Sequence, residues 1–290
     1  MSKEPGDFLQ RVLAWADERP DIVAVVMTGS RTRTDNAVDE YSDYDLELFV
    51  GDPATFDNED WAEECASVWV SLPLTSEEGY PVRLVFYEGG EKVDFQIRPV
   101  SEFQALAVAG RIDEDVYARA DVWARGYRVL RDRDGIASSL PRVSAPARSR
   151  PRPTEGEYLA ANTEFWFEAA HIPRYLMREE LWIVQARGWT MKEMLLQMIE
   201  WHAIAISEED TDVWYDGTKM KQWVTADQWA TLRHVFGRFD RADSWRALLA
   251  TMGLFRETSR EVARSYDFHY PLEQDEHISA YVLGFTVDGL

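Results

Sequence analysis

Apolar positions along this chain follow two rhythms, and the change between them comes near residue 150. The first half mixes stretches of period two with helical stripes, whereas the second keeps the helical period almost to its end. Phe8, Val12, Leu13, Trp15 and Ala16 form a helical stripe over residues 5–19, closed by Pro20. Residues 22–27 are a short apolar run, read as a buried strand ending at Gly29. Residues 43–50 then alternate. In a strand Asp43 and Asp45 share one face, while Tyr44, Leu46, Leu48 and Val50 share the other. Trp61, Ala62, Cys65, Val68 and Trp69 predict a helix over 57–72. Residues 81–87 and 92–98 read as a hairpin around Glu88-Gly89-Gly90-Glu91, with Asp94, Gln96 and Arg98 on its polar face. Helices over 101–109 and, less regularly, 113–125 precede a last strand at 127–130 and a turn at 132–135.

Residues 140–153 hold four Pro and four Arg with neither period, so residues 139–153 are expected to link a first domain, 1–138, to a second, 154–290. In the second domain helices are expected over 155–187 (bent near Pro173), 191–206, 226–236, 243–266 and 273–283. Thr154-x-x-Glu157, Thr190-x-x-Glu193 and Thr225-x-x-Gln228 read as capping boxes. Trp166, Trp182, Trp189, Trp201, Trp229 and Trp245 are expected mostly in the core, with one or two free to stack on an adenine or a sugar. The pattern predicts an α+β fold: a mixed sheet with flanking helices, then an all-α helical bundle.

Composition narrows the partners. With 31 basic and 52 acidic residues the net charge is −21, which repels a polynucleotide and attracts a polycation, although an acidic surface also serves solubility. The single cysteine, Cys65, excludes an internal disulfide and fits a reducing compartment. Glu59, Asp60, Glu63 and Glu64 surround it and raise a thiol pKa, so it reads as a core residue. No signal-peptide or membrane-spanning run is visible, and a cytoplasmic location without a membrane partner is expected. The five His show no metal-ligand pairing; His202 and His234 read as structural.

Chemistry concentrates between residues 27 and 50. Two neighbouring carboxylates, Asp43 and Asp45, repel each other, and a hard divalent cation shared with substrate phosphates resolves the conflict; Mg²⁺ is the expected one. Gly29 admits a close approach of backbone or phosphate, and Ser30 offers a hydroxyl and an N–H to a phosphate oxygen. Asp94 joins the pair if its strand neighbours theirs. The other reading is a surface hairpin whose acidic residues keep a strand edge soluble. Gly-Ser, a spacer and Asp-x-Asp on the next strand resemble the signature of the nucleotidyltransferase fold of the DNA polymerase β superfamily.

The resemblance becomes narrower over the whole chain. Gly29-Ser30-Arg31-Thr32, Asp39-Glu40-Tyr41-Ser42-Asp43-Tyr44-Asp45, Lys92-Val93-Asp94-Phe95, Arg152-Pro153-Thr154 and Asn162-x-Glu164-Phe165-Trp166 are similar to the streptomycin (aminoglycoside 6-) adenylyltransferases. Met198-Ile199-x-Trp201-His202, Gly217-Thr218-Lys219-Met220-Lys221 and Leu254-Phe255-Arg256-x-x-Ser259 follow in order. Two stretches depart from the pattern: the Arg/Pro-rich linker and residues 207–215. The resemblance implies transfer of AMP from ATP to a hydroxyl of the drug, with release of pyrophosphate. It further implies Asp43 and Asp45 as metal ligands, Gly29 and Ser30 on the phosphates, and Asp94 as general base or third ligand. Arg31, Lys219 and Lys221 are then cations for the triphosphate. Glu157, Glu164 and Glu168 are candidates to meet the drug's guanidinium or ammonium groups, although capping alone accounts for Glu157. The competing readings are an adenylyltransferase for another small hydroxylated or protein substrate, and a non-catalytic nucleotide-binding or antitoxin-like module.

Overall fold

The computed structural model describes residues 5–32, 38–39, 41–58, 61–143, 152–207, 211–213 and 215–285, with side chains from residue 8 onward. The chain divides into two compact units, Met1–Ala147 and Arg148–Leu290. Their boundary falls inside the expected linker 139–153, of which residues 144–151 lie outside the described ones. No helix among the described residues is long and apolar enough to cross a membrane.

The first unit is built on a six-stranded sheet in the order β3-β4-β5-β2-β1-β6, with β1 Ile22–Thr28, β2 Tyr44–Val50, β3 Val68–Thr75, β4 Pro81–Tyr87, β5 Lys92–Pro99 and β6 Arg128–Asp132. Neighbours are antiparallel except β2 and β5, which run parallel, so the sheet is mixed. Alternation along β2 explains the layering. Tyr44, Leu46, Leu48 and Val50 pack under α1 (Pro5–Glu18) and α2 (Trp61–Cys65). Phe49, on the other face, packs with Phe103 of α3 (Val100–Ala109) and Trp123 of α4 (Ala120–Ala124). A one-residue slip of β2 would put the carboxylates of Asp45 and Glu47 into the apolar layer under α1 and α2, so the register that sets the Asp43–Asp45 face is strongly fixed.

The helix expected over 57–72 is confined to Trp61–Cys65; from Val68 the chain forms the edge strand β3. Its β-branched and alternating residues suit a pleated surface, and Pro73 is tolerated because the strand is an edge. Trp69, expected on a helix face, is 63% exposed there. The helix expected over 113–125 shortens to Ala120–Ala124. Cys65 is buried, and burial, more than the nearby carboxylates, pushes its thiol up to about 12.

The second unit is helical: α5 Glu155–Met177, α6 Leu181–Ile206, α7 Ala226–Leu232, α8 Arg241–Tyr266 and α9 Leu272–Leu283. Capping boxes start α5 at Thr154 and α7 at Thr225. Thr190-x-x-Glu193 caps nothing, because α6 runs through it. The break falls instead after Met177, where Glu179 takes φ 58°. Val184, Met191, Leu195 and Met198 form one buried stripe across the expected gap, and a continuous helix keeps that stripe intact. Trp166, Trp201 and Trp245 are buried as expected, whereas Trp182, Trp189 and Trp229 are exposed.

Several of the recurring motif residues turn out to hold this unit together. Phe165 stacks on Phe255 with centroids 3.6 Å apart, and Ser259 Oγ donates to Asn162 Oδ1 at 2.8 Å. Arg256 clamps α8 to α9 through Asp275, which is buried and also accepts from the Ser279 and Tyr270 hydroxyls. His202 bridges Glu261 and Gln228.

Candidate active site

The site starts where β1 ends. Gly29 has φ +70°, a conformation that favours glycine, and a Cβ placed there would lie 1.9 Å from Asp45 Oδ2. Ser30 opens the 3-10 turn Ser30–Thr32, and Thr32 Oγ1 lies within hydrogen-bonding reach of the Gly29 and Gly126 carbonyls, at 2.8 and 2.9 Å. Arg31 donates to the carbonyls of Ser42 and Asp43 at 2.5 and 2.9 Å, and its guanidinium lies 4.0 Å from the centre of the Tyr44 ring. One residue of the turn thus braces the backbone that delivers the two aspartates.

The parallel pairing of β2 with β5 sets Asp45 directly beside Asp94. Asp43, Asp45 and Asp94 each bring a carboxylate oxygen within 4.8 Å of the others. Burial first, then the charges of Asp43 and Asp94, push the Asp45 carboxyl up to about 6. Asp94 Oδ1 is buried without a hydrogen-bond partner. Clustered hard oxygen donors with an orphaned buried oxygen fit a divalent cation of the Mg²⁺ type.

Two residues of this face were given no role by the sequence reading. Lys92 Nζ donates to Asp43 Oδ2 at 2.6 Å and to Asp94 Oδ2 at 2.8 Å. Its position two residues before Asp94 places it on the same strand face, and that spacing was the available signal. Glu47 continues the row from Asp45 and is fully buried. It accepts from Arg119 Nε and Trp123 Nε1, both at 2.8 Å, and from the Tyr117 hydroxyl. These partners lie 70 or more residues away, and no local pattern announces them. Glu47→Ala would strand Arg119 without its carboxylate; a loss of about 3–5 kcal/mol is expected, read as a lower denaturant midpoint.

The remaining candidates belong to the helical unit. Lys219, with φ 55°, is exposed beside the 3-10 turn Met220–Gln222, and Lys221 Nζ lies 6.0 Å from the Trp229 ring. Glu157 is engaged by Thr154 in the capping box of α5, and Glu168 is held by Arg187 at 2.8 and 3.0 Å. Of the three glutamates only Glu164, exposed on α5, has no hydrogen bond or ion pair among the described residues. The unit also contains a cavity of about 830 Å³, lined by Trp189, Leu195, Ile199, Met220, Trp229 and Phe236.

A family model described as streptomycin adenylyltransferase matches residues 2–285. The chain belongs to this family. The aminoglycoside 6-adenylyltransferase of Bacillus subtilis is 26% identical over 277 residues, covering 92% of either chain. That of Campylobacter jejuni is 27% identical, covering 94% of this chain and 92% of its own. A crystal structure of an aminoglycoside 6-adenyltransferase from Bacillus subtilis aligns over 98% of both chains at 21% identity, with a TM-score of 0.46. In this member of the streptomycin adenylyltransferase family, Gly29, Arg31, Asp43, Asp45, Lys92 and Asp94 converge at one end of the sheet.

Proposed function

We propose that this protein is an aminoglycoside O-adenylyltransferase that transfers AMP from Mg·ATP to a hydroxyl of streptomycin and releases pyrophosphate. The observation that carries the reading is the in-register cluster of Asp43, Asp45 and Asp94 beside the Gly29–Ser30 turn. In the reaction the drug's hydroxyl oxygen forms a bond to the α-phosphorus while the bond from that phosphorus to the pyrophosphate oxygen breaks. Asp43 and Asp45 would hold Mg²⁺, which when bound neutralises phosphate charge. Asp94 takes the hydroxyl proton; its Oδ1 accepts no hydrogen bond from the described residues of the protein. A carboxylate is a weak base, so its contribution comes chiefly from position.

Ser30 and the backbone of Gly29 meet phosphate oxygens, and Arg31, Lys219 and Lys221 supply positive charge for the triphosphate. Of the three glutamates, Glu164 is the one left to meet a guanidinium or ammonium group of the drug, because Glu157 and Glu168 are committed within the helical unit. The charge of −21 favours a polycationic acceptor over a polynucleotide. Pyrophosphate release from Mg·ATP, measured with streptomycin, spectinomycin, kanamycin or no acceptor, tests the reading. Release only with streptomycin is expected, and it should stop when EDTA removes the metal. Release with another acceptor moves the substrate, and no release with any of the three drugs removes the aminoglycoside reading while leaving the fold standing.

A further inference from the structure

Lys92 lies between two of the three carboxylates that serve metal binding and proton transfer in the proposed reaction. Its position is built, not incidental. Lys92 opens β5, two residues before Asp94 and on the same face, one step outside the paired residues Tyr44 and Val93. Its ammonium reaches Asp43 Oδ2 at 2.6 Å and Asp94 Oδ2 at 2.8 Å, with the side chain 28% exposed. Phe86 of β4 pairs with it on the other side and fixes its backbone. When all are ionised, three carboxylates and one ammonium leave two negative charges, which one divalent cation neutralises.

We propose that Lys92 is the site's own counter-cation: it holds Asp43 and Asp94 together before the metal binds and weakens metal binding to a reversible level by competing for Asp43. This inference rests on the reading of the cluster as a divalent-cation site. Two cations a few ångströms apart on shared oxygens repel each other, so each lowers the affinity of the other. Without Lys92 the cluster would carry one more negative charge and its carboxylates would splay apart. The lysine is a positioning residue here, acting through Asp43 and Asp94.

The test uses the full-length protein without nucleotide and Mn²⁺ as probe, comparing wild type with Lys92→Met. In EDTA the variant is expected to melt a few degrees lower. Saturating Mn²⁺ should raise its melting temperature by more than that of the wild type, and Mn²⁺ should bind it roughly ten-fold tighter by calorimetry. A purely structural lysine would lower melting equally with and without Mn²⁺, and unchanged or weaker Mn²⁺ binding would overturn the proposal. Should Lys92→Met fail to fold in EDTA, Lys92→Arg and Lys92→Gln decide the matter. Arginine, which keeps the charge, should bind Mn²⁺ as the wild type does, and glutamine should bind it more tightly; equal binding by the two refutes the competition. If Mn²⁺ binds the wild type but the variants do not differ, only this inference fails. If the wild type does not respond to Mn²⁺ at all, the metal reading itself fails and takes this inference with it.

Discussion

Gly29→Ala is expected to reduce turnover about 100-fold or more, the scale of loss that follows a displacement of roughly 1 Å at a reacting centre. The added Cβ would lie 1.9 Å from Asp45 Oδ2 and 2.7 Å from Asp45 Cγ, so either the turn or the carboxylate must move. Alanine at φ +70° also carries backbone strain of about 1–2 kcal/mol. The two effects can be separated. Gly135 has nearly the same backbone conformation, φ +72°, but nothing lies within 4 Å of its would-be Cβ. Gly135→Ala should therefore lose stability and keep its turnover, whereas Gly29→Ala should lose both. Steady-state kinetics and thermal melting of the two variants measure this directly. Wild-type turnover in Gly29→Ala would mean that the position of Asp45 beside the turn does not matter to the chemistry.

How much of this site could be seen in the sequence depended on the distance over which each feature is encoded. The Asp43–Asp45 face was legible because alternation is local, and a strand translates it into geometry without further information. The placement of Asp94 needed one long-range fact, the parallel neighbour relation of β2 and β5, which period alone does not give. Lys92 was within reach by the same two-residue rule but was read as the start of a strand and as part of the Lys92-Val93-Asp94-Phe95 motif, with no role of its own. Glu47 was not, since its burial becomes tolerable only through Tyr117, Arg119 and Trp123 from a distant loop and helix.

The same logic sorts the helices. Residues 57–72 satisfy a helical spacing of large residues, yet the part from Val68 carries the β-branched Val68 and Val70, and pairing with β4 decided it. In the second unit the α5–α6 break was misplaced because Thr190 and Glu193 imitate a capping box. A capping signal is worth about 1 kcal/mol, less than burying the stripe from Val184 to Met198. The tryptophans erred in the opposite direction. Trp182 and Trp189 fall on the solvent side of α6 because that stripe, and not residue type, sets which face turns inward.

Asp45→Asn is expected to lower transfer by roughly three orders of magnitude, the worth of several kcal/mol of charge stabilisation, while making the metal-free protein more stable. Asparagine keeps the shape of the side chain and removes one of three crowded negative charges. The folded protein raises the Asp45 carboxyl from 3.8 to about 6, so near pH 7 its ionised form is held against burial and against Asp43 and Asp94. Relief of that opposition should stabilise the fold by about 1–3 kcal/mol, because a raised carboxylate pKa costs stability wherever the group is ionised in both states. In EDTA the variant should therefore melt above the wild type. Added Mg²⁺ should reverse the order, raising the wild type and leaving the variant nearly unmoved. A variant that melts lower in EDTA would show that partners of Asp45 outweigh the repulsion, and normal turnover would remove it from the metal site. Enzymes commonly hold their reacting groups in arrangements that folding alone would disfavour, and a substitution that gains stability as it loses turnover is the signature of such a group.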